Sequence, residues 1–378
     1  MSNTIKIILF CCFLFQNVHG FAAPTEITAK AAIIMEARTG KVLYSKNAEE
    51  RKYPASTTKM MSLIVALEHG NLNDIVTASS NAANTEGSSL WLTQGEQEKM
   101  IDLLYGIMLV SGNDATVAVA EHISGSVDNF AKLMTEKAHA LGARDTNFTN
   151  SSGLPDPNHY STAHDLARIA AYGYKNPLFT KIISTKEWIM PWPGKAFNRD
   201  LYNENKMLWL YEGGNGVKTG YTDAAGRCLV SGAYRNGIQL VAVVLDSERM
   251  WDDSIALLDY GFQQIKPKPI FNQGDILKTV RVSNGKSDII ALVTGSDLVL
   301  PVSETDSDDF KTVIDSPAKV DAPIHEGQKL GKVKVYYKDS EVANVDLLAQ
   351  QAIEKKSLFT AGWNFLWKFF TFIVKNFT

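Results

Sequence analysis

The first part of the chain changes from a strand-like pattern to a helical one. The apolar run Ala31–Met35 is followed by turn residues at 38–40 and by a second short apolar segment, which predicts a β-hairpin. Ser56 then opens an apolar stretch centred on Met60–Leu67 and closed by Gly70. Apolar residues at this spacing, ended by a glycine, predict a helix.

Helices are predicted in the middle of the chain, and strands return after it. The predicted helices are Leu103–Val110, Ala115–Ile123, Asp165–Tyr172 and Asp252–Tyr260. The predicted strands are Gly216–Tyr221, Cys228–Tyr234 and Gln239–Leu245, the last two separated by a strong hairpin signal at 235–237. Strands at both ends of a helical middle predict one α+β domain over 24–265, an antiparallel sheet flanked by helices.

Beyond Lys266 the pattern consists of short, alternating, β-rich segments. They are Ile276–Val282, Ile289–Val293, Asp297–Val302 and Lys332–Tyr337. Turn residues such as Asn284-Gly285 separate them, and no chemical motif accompanies them. A small all-β domain over 266–350 is therefore predicted.

The N-terminus has the pattern of a targeting segment. Lys6 precedes the apolar run Ile7–Phe15, which is too short to span a bilayer, and small residues follow. We predict a signal peptide over 1–23, with an uncleaved anchor as the alternative. Removing it would leave Cys228 as the remaining cysteine, so the exported chain would have no internal disulfide.

The C-terminal segment 351–378 predicts an amphipathic helix. Its polar residues recur every three or four positions, on one helical face: Thr360, Asn364, Lys368, Thr371 and Lys375. Such a stripe favours a helix that lies in the plane of a membrane. A spanning helix would place Lys368 near the bilayer centre, at a cost of about 2.5–3.5 kcal/mol. Spanning and docking onto the protein itself are the alternatives.

Composition excludes few functions beyond nucleic-acid binding. The net charge is −3, with 45% hydrophobic and 21% charged residues, as in an ordinary globular protein. Neither a basic run nor a basic balance is present, so nucleic-acid binding has no electrostatic support.

Candidate chemistry begins with the Ser-x-x-Lys element Ser56-Thr57-Thr58-Lys59. Two residues three apart on a helix share a face, so the serine and lysine side chains can meet. The element alone is weak evidence, because the chain forms it twice more, from Ser283 and from Ser316. The first of these crosses an Asn-Gly turn and the second has proline directly after serine, so neither opens a helix.

Two further triplets make the Ser-x-x-Lys element specific evidence for a catalytic site. Ser111-Gly112-Asn113 lies between two predicted helices, and Lys218-Thr219-Gly220 lies in a predicted strand. This order of motifs is that of β-lactamases and penicillin-binding proteins. The segments 150–154 and 215–222 also match the pattern of one family. Together with the three motifs, they make the chain resemble the D-alanyl-D-alanine carboxypeptidases, or low-molecular-mass penicillin-binding proteins, over nearly its whole length.

The resemblance implies a role for each matching residue. It implies a catalytic set of Ser56 as acylated nucleophile, Lys59 as general base and Ser111 as proton relay. It implies substrate binding by Lys218, Asn113, Thr219 and Arg249. The main-chain N–H groups of Ser56 and Tyr221 would form the oxyanion hole, although several relatives carry histidine at the latter position.

The resemblance also implies the reaction, partners and location. A serine-type enzyme would remove the terminal D-Ala of peptidoglycan stem pentapeptides without metal or cofactor, and β-lactams would acylate it. The enzyme would be exported and held peripherally on the outer face of the cytoplasmic membrane. A β-lactamase, a peptidoglycan endopeptidase and a non-catalytic wall-binding protein remain open alternatives.

The seven histidines form no His-Glu-x-x-His pair, so the sequence contains no motif for zinc chemistry. The oligomeric state has no sequence signal.

Overall fold

The computed structural model describes residues 24, 26–303, 309–356 and 367. The predicted signal segment, 1–23, lies outside these residues, and so do 357–366 and 368–378 of the predicted C-terminal helix. Residues 351–356 of that predicted helix are described and are not helical, because they form bridges to the β domain. Trp367, further along the segment, is helical and 64% exposed. None of the helices in the described ranges has the length and apolarity needed to cross a membrane.

The first part of the chain forms an α+β unit. Its strands are β1 Ala31–Glu36, β2 Val42–Lys46, β3 Ile75–Thr77, β4 Gln97–Lys99, β5 Glu187–Met190, β6 Arg199–Tyr202, β7 Gly214–Thr222, β8 Gly226–Arg235 and β9 Ile238–Leu245. Its helices are α1 Lys59–His69, α2 Ser80–Ala83, α3 Met100–Leu109, α4 Asn113–Ser124, α5 Val127–Ala140, α6 Ala163–Gly173, α7 Pro177–Ser184, α8 Met207–Leu210 and α9 Met250–Gln264.

A five-stranded antiparallel sheet in the order β2-β1-β9-β8-β7 organises this unit. Alternate residues of β9 enter two cores: Val241 and Val243 pack with α1 to α7, whereas Ala242 and Val244 pack with α9. Strands covered on both faces bury every side chain, which is why β1 and β9 read as continuous apolar runs. β7 is an edge strand.

The second part of the chain is all-β. Its strands are β10 Lys266–Phe271, β11 Ile276–Ser283, β12 Ile289–Thr294, β13 Leu298–Val302, β14 Phe310–Asp315, β15 Lys319–Asp321, β16 Lys329–Tyr337 and β17 Ser340–Ala349. Six of them form the sheet β14-β16-β17-β12-β11-β15, and β10 pairs with β13. Isolated bridges from Ile353 to Ile324 and from Lys355 to Gly285 continue the packing past residue 350. The predicted α+β unit followed by an all-β unit is confirmed.

Candidate active site

Ser56 lies in a 3₁₀ turn, Ala55–Thr58, immediately before α1. The sequence placed it on the helix itself; the structure begins the α-helix at Lys59. Ala55 has φ 47°, a left-handed conformation that a non-glycine residue adopts rarely. Such strain persists only where the surroundings enforce it, and here it occurs next to a half-buried serine hydroxyl.

The Lys59 amine is completely buried and lies between three oxygens. Its Nζ is 2.9 Å from Ser56 Oγ, 2.6 Å from Asn113 Oδ1 and 2.8 Å from the Ser152 carbonyl. A protonated amine donates to all three. A neutral amine has two N–H bonds, which match the amide and carbonyl oxygens, and one lone pair, which then accepts the Ser56 hydroxyl proton. The geometry therefore fits a neutral lysine acting as a base toward Ser56.

Burial and a second cation both favour the neutral form of this lysine. Burial lowers the pKa of Lys59 well below its usual value, and the nearby Lys218 charge lowers it further. Glu204 and Asp114 act in the opposite direction. Burial also lowers the pKa of Lys218, to about 8, against an opposing effect of Glu204. Perturbed lysines of this kind are typical of functional sites.

Asn113, the first residue of α4, holds Lys59 in place. Its Nδ2 donates to the Glu86 carbonyl at 2.7 Å, which leaves Oδ1 to accept from Lys59. Ser111 is buried in the break between α3 and α4, with φ 63°. Within the described residues its hydroxyl makes no hydrogen bond to Lys59 or Lys218, so the structure brings Ser111 to the site without joining it to either lysine.

Strand β7 passes directly over the nucleophile. A Cβ added to Gly220 would lie 3.0 Å from Ser56 N and 3.1 Å from Thr57 N, so a larger residue would require the turn to shift by a few tenths of an ångström. The next residue is Tyr221, whose side chain is 62% exposed. The Gly220 contact therefore brings this part of β7, which continues into Tyr221, next to the main-chain N–H of Ser56.

Lys218 and Thr219 occupy the same strand on opposite faces. Lys218 is buried and its Nζ lies 3.3 Å from Thr219 Oγ1 and 3.2 Å from the Thr219 carbonyl. Thr219 Oγ1 in turn lies 3.4 Å from Glu204 Oε2. Because β7 is an edge strand, main-chain groups here are available to an extended peptide.

Arg249 is less closely tied to this cluster. It is exposed, and it precedes α9. Its main-chain N–H donates to Thr28 Oγ1 at 3.2 Å and to Ser247 Oγ at 3.1 Å. These contacts position the backbone at the end of the sheet; no contact between the Arg249 side chain and Ser56, Lys59 or Lys218 occurs in the described part of the chain.

Two functional groups were missed by the sequence reasoning. The Ser152 carbonyl reaches Lys59 because Gly153, at φ 89°, packs onto Ala55, where a Cβ would lie 1.8 Å from the Ala55 carbonyl oxygen. The 150–154 segment had been noted as a family pattern, but a main-chain oxygen carries no residue-type signal. Glu204 lies outside the motifs in sequence. It is an exposed glutamate, and its contact with Thr219 connects it to the site.

Histidine plays a packing role near the site. The His159 Nδ1 accepts from Thr149 N at 3.1 Å, so its Nε2 carries the hydrogen and donates to Thr58 Oγ1 at 2.9 Å. Burial lowers the pKa of His159 to about 4. Across the described ranges, no three His, Cys, Asp or Glu side chains converge as metal ligands would.

Replacing Glu204 by glutamine is expected to move the acidic limb of the kcat/KM profile to lower pH. Glu204 raises the pKa of Lys59, so removing its charge lowers that pKa, and the neutral base then survives to lower pH. The pH dependence of D-Ala release from a pentapeptide checks this. The Glu212→Gln variant, at another exposed glutamate, should leave the limb in place; an unchanged limb in Glu204→Gln contradicts the coupling.

Both parts of the chain match known families, and full-length relatives are numerous. Residues 18–249 match the family described as D-alanyl-D-alanine carboxypeptidase, and residues 266–355 match Penicillin-binding protein 5, C-terminal domain. D-alanyl-D-alanine carboxypeptidase DacF of Bacillus subtilis (strain 168) is 37% identical over 343 residues, covering 88% of this chain and 87% of that protein. DacA of Haemophilus influenzae is 33% identical over 390 residues, covering 97% and 98%. The crystal structure of penicillin binding protein 5 from Haemophilus influenzae superposes with a TM-score of 0.63 at 31% identity, covering 88% of this chain and 100% of that one.

Proposed function

The chain belongs to the D-alanyl-D-alanine carboxypeptidase family, and on this premise we propose which of its groups perform the serine carboxypeptidase reaction. The expected family and activity are confirmed. Ser56 Oγ attacks the carbonyl of the penultimate D-Ala while Lys59 Nζ takes the hydroxyl proton. The terminal D-Ala leaves, and water then hydrolyses the acyl-enzyme. The observation that carries this assignment is the buried Lys59 amine, whose lone pair is directed to Ser56 by two other oxygen partners.

The negative charge that develops on the substrate carbonyl oxygen must be stabilised by hydrogen-bond donors. We assign that role to the main-chain N–H groups of Ser56 and Tyr221, supported by the close approach of Gly220 to the turn. Lys218 supplies positive potential beside them and holds down the pKa of Lys59. The edge of β7 through Thr219 pairs with the extended stem peptide.

The roles of three further residues, Asn113, Ser111 and Arg249, rest on different observations. Asn113 uses Oδ1 and one Nδ2 hydrogen to fix Lys59 and the Glu86 loop, which leaves its second Nδ2 hydrogen for the substrate backbone. Ser111, two residues away, returns the proton to the leaving amine. Arg249 binding of the terminal carboxylate is supported only by its place after β9 and by its exposure.

Penicillin should form a long-lived adduct with this enzyme. Rapid clearance often uses a carboxylate that activates water, and in the described residues no carboxylate hydrogen-bonds Ser56 or Lys59. Asp114 instead accepts the N–H groups of Leu90 and Leu92. Mass spectrometry after mixing with benzylpenicillin should show one added molecule that persists for many minutes. Rapid return of the free mass would identify a β-lactamase, and absence of an adduct a non-catalytic protein.

We further propose the surroundings in which the reaction takes place. The substrate is peptidoglycan, reached on the outer face of the cytoplasmic membrane after export by the 1–23 signal. The catalytic domain comprises 24–265 and the β domain begins at 266. Within the 351–378 segment, the part that follows the last β contacts at Ile353 and Lys355 contributes the in-plane anchor. The tail's polar stripe supports the anchor. Membrane fractionation of cells expressing the full chain tests it: recovery in the washed soluble fraction contradicts anchoring.

A further inference from the structure

A groove with two tryptophans lies beside the catalytic site. It has a volume of about 570 Å³ and is lined by the loop after α2 and by the β5–β6 hairpin. We call it the aromatic groove and define it by Asn84, Thr85, Glu86, Trp91, Trp192 and Lys195. None of these side chains has a part in the mechanism above. The groove combines flat apolar rings with amide, hydroxyl and charged groups of both signs.

Trp91 is displayed to solvent at a conformational cost. Its side chain is 72% exposed and its φ is 61°, an outlier for a bulky residue. The buried Asp114 carboxylate enforces this conformation by accepting from Leu90 N and Leu92 N, each at 3.0 Å, on either side of Trp91. A large exposed ring held in a strained conformation by a buried carboxylate indicates a function for the ring.

Trp192 is fixed by the same part of the structure. The buried Arg199 guanidinium lies 4.4 Å from the Trp192 ring centroid and donates to the Leu90 carbonyl at 2.8 Å. Phe197 packs edge-on against Trp192, with ring centroids 5.6 Å apart. Arg199 therefore connects the hairpin that carries Trp192 to the loop that carries Trp91, so both indoles belong to one preorganised surface.

The groove is continuous with the catalytic site through Asn113. Asn113 donates through Nδ2 to the Glu86 carbonyl and through its main-chain N–H to the Ser88 carbonyl, both at 2.7 Å. The same Asn113 accepts from Lys59. The four stem residues on the N-terminal side of the scissile bond span at most about 14 Å when extended. The attachment point of a stem peptide cleaved at Ser56 therefore lies within that distance of Ser56, and contacts through Lys59 and Asn113 connect Ser56 to the 86–88 loop.

We propose that the aromatic groove binds the glycan strand to which the stem peptide is attached, through its N-acetylated sugar rings. This inference rests on the proposed function, since it takes the stem peptide as substrate. A pyranose ring has an apolar C–H face that matches an indole and hydroxyl and acetamido groups that match Asn84, Thr85 and Glu86. A lipid surface would need a continuous apolar or cationic patch, and Glu86 interrupts one.

Two substrates that share one pentapeptide test the proposal. One is the free pentapeptide, and the other carries the peptide on an N-acetylglucosaminyl-N-acetylmuramyl disaccharide. We expect wild-type kcat/KM for the disaccharide substrate to exceed that for the free peptide about tenfold, the effect of one good ring contact. Trp91→Ala should bring the ratio to about one and leave the free peptide unaffected. Trp209→Ala removes another exposed tryptophan outside the groove and should preserve the ratio.

A binding measurement tests the proposal even if the Trp91→Ala protein folds poorly. Titration of wild type with an N-acetylglucosamine tetramer should quench tryptophan fluorescence saturably, and Trp192→Ala should weaken that binding. Equal kcat/KM for both substrates in wild type, or a ratio unchanged in Trp91→Ala, overturns the proposal. Trp91-dependent binding to phosphatidylglycerol vesicles without a glycan advantage also overturns it. Wild type that releases no D-Ala from the free peptide contradicts the proposed function instead, while the titration still tests the groove.

Discussion

Ser56→Ala is expected to lower D-Ala release by at least about a thousandfold and to abolish the penicillin adduct. The hydroxyl oxygen is the atom acylated, and alanine removes it while leaving the 3₁₀ turn and the neighbouring Lys59 in place. The fold should be unaffected, because within the described residues the hydroxyl hydrogen-bonds only to the Lys59 amine. D-Ala released from a pentapeptide and the intact mass after benzylpenicillin treatment measure the two effects.

The chain supplies a matched control for this substitution. Ser316 begins another Ser-x-x-Lys element but lies between β14 and β15 of the β domain, where its Oγ accepts from Lys278 Nζ at 2.9 Å. Ser316→Ala should release D-Ala at the wild-type rate and form the adduct. A Ser56→Ala protein that still gained the mass of penicillin would place the nucleophile elsewhere.

Features set by local spacing could be predicted from the sequence. Ser56 and Lys59 are three residues apart, so any helical turn brings them together, and the structure places their side chains 2.9 Å apart. The apolar runs in the last strands of the first unit and the Asn236-Gly237 turn likewise predict β8 and β9 as observed. One detail was wrong, since α1 begins at Lys59 and Ser56 lies in a 3₁₀ turn.

Some local signals were present and were not used. Helix α5 begins after a Ser126 cap, and Phe130, Met134 and Ala138 are buried at intervals of four, which is a helical period. β14 is mostly exposed, and β17 begins with exposed polar residues and is interrupted by Asn344 and Asp346, so neither resembles a strongly apolar strand. Strand pairing supplied the stability that the local pattern did not show.

Features that depend on tertiary contacts had no signal in residue type. The Ser152 carbonyl is a main-chain group, and its contact with Lys59 depends on Gly153 packing against Ala55. Glu204 influences both active-site lysines only because its loop lies next to Thr219. Such groups become visible when distant segments are brought together.

Lys59→Met is expected to reduce D-Ala release by about a hundred- to ten-thousandfold, the usual contribution of a general base. Methionine fills much of the buried volume but offers no lone pair to the Ser56 hydroxyl. Lys59→Arg is the informative partner variant, because it keeps a positive charge that cannot be lost in the working pH range. If Lys59 acts as a base, both variants are inactive; if it acts through charge alone, Lys59→Arg retains activity.

Measuring the stability of the Lys59→Met protein shows whether lost activity reflects loss of the base or loss of the folded structure. The pKa of Lys59 is lower in the folded than in the unfolded protein, so between the two pKa values the unfolded chain binds more protons than the folded chain, and this disfavours folding. Methionine removes that cost but leaves Asn113 Oδ1 and Ser152 O without a donor, at about 1–3 kcal/mol each. These effects oppose one another, so thermal melting should show a folded, cooperative protein. A folded Lys59→Met enzyme with more than about a tenth of wild-type activity would refute the assignment of Lys59 as the base.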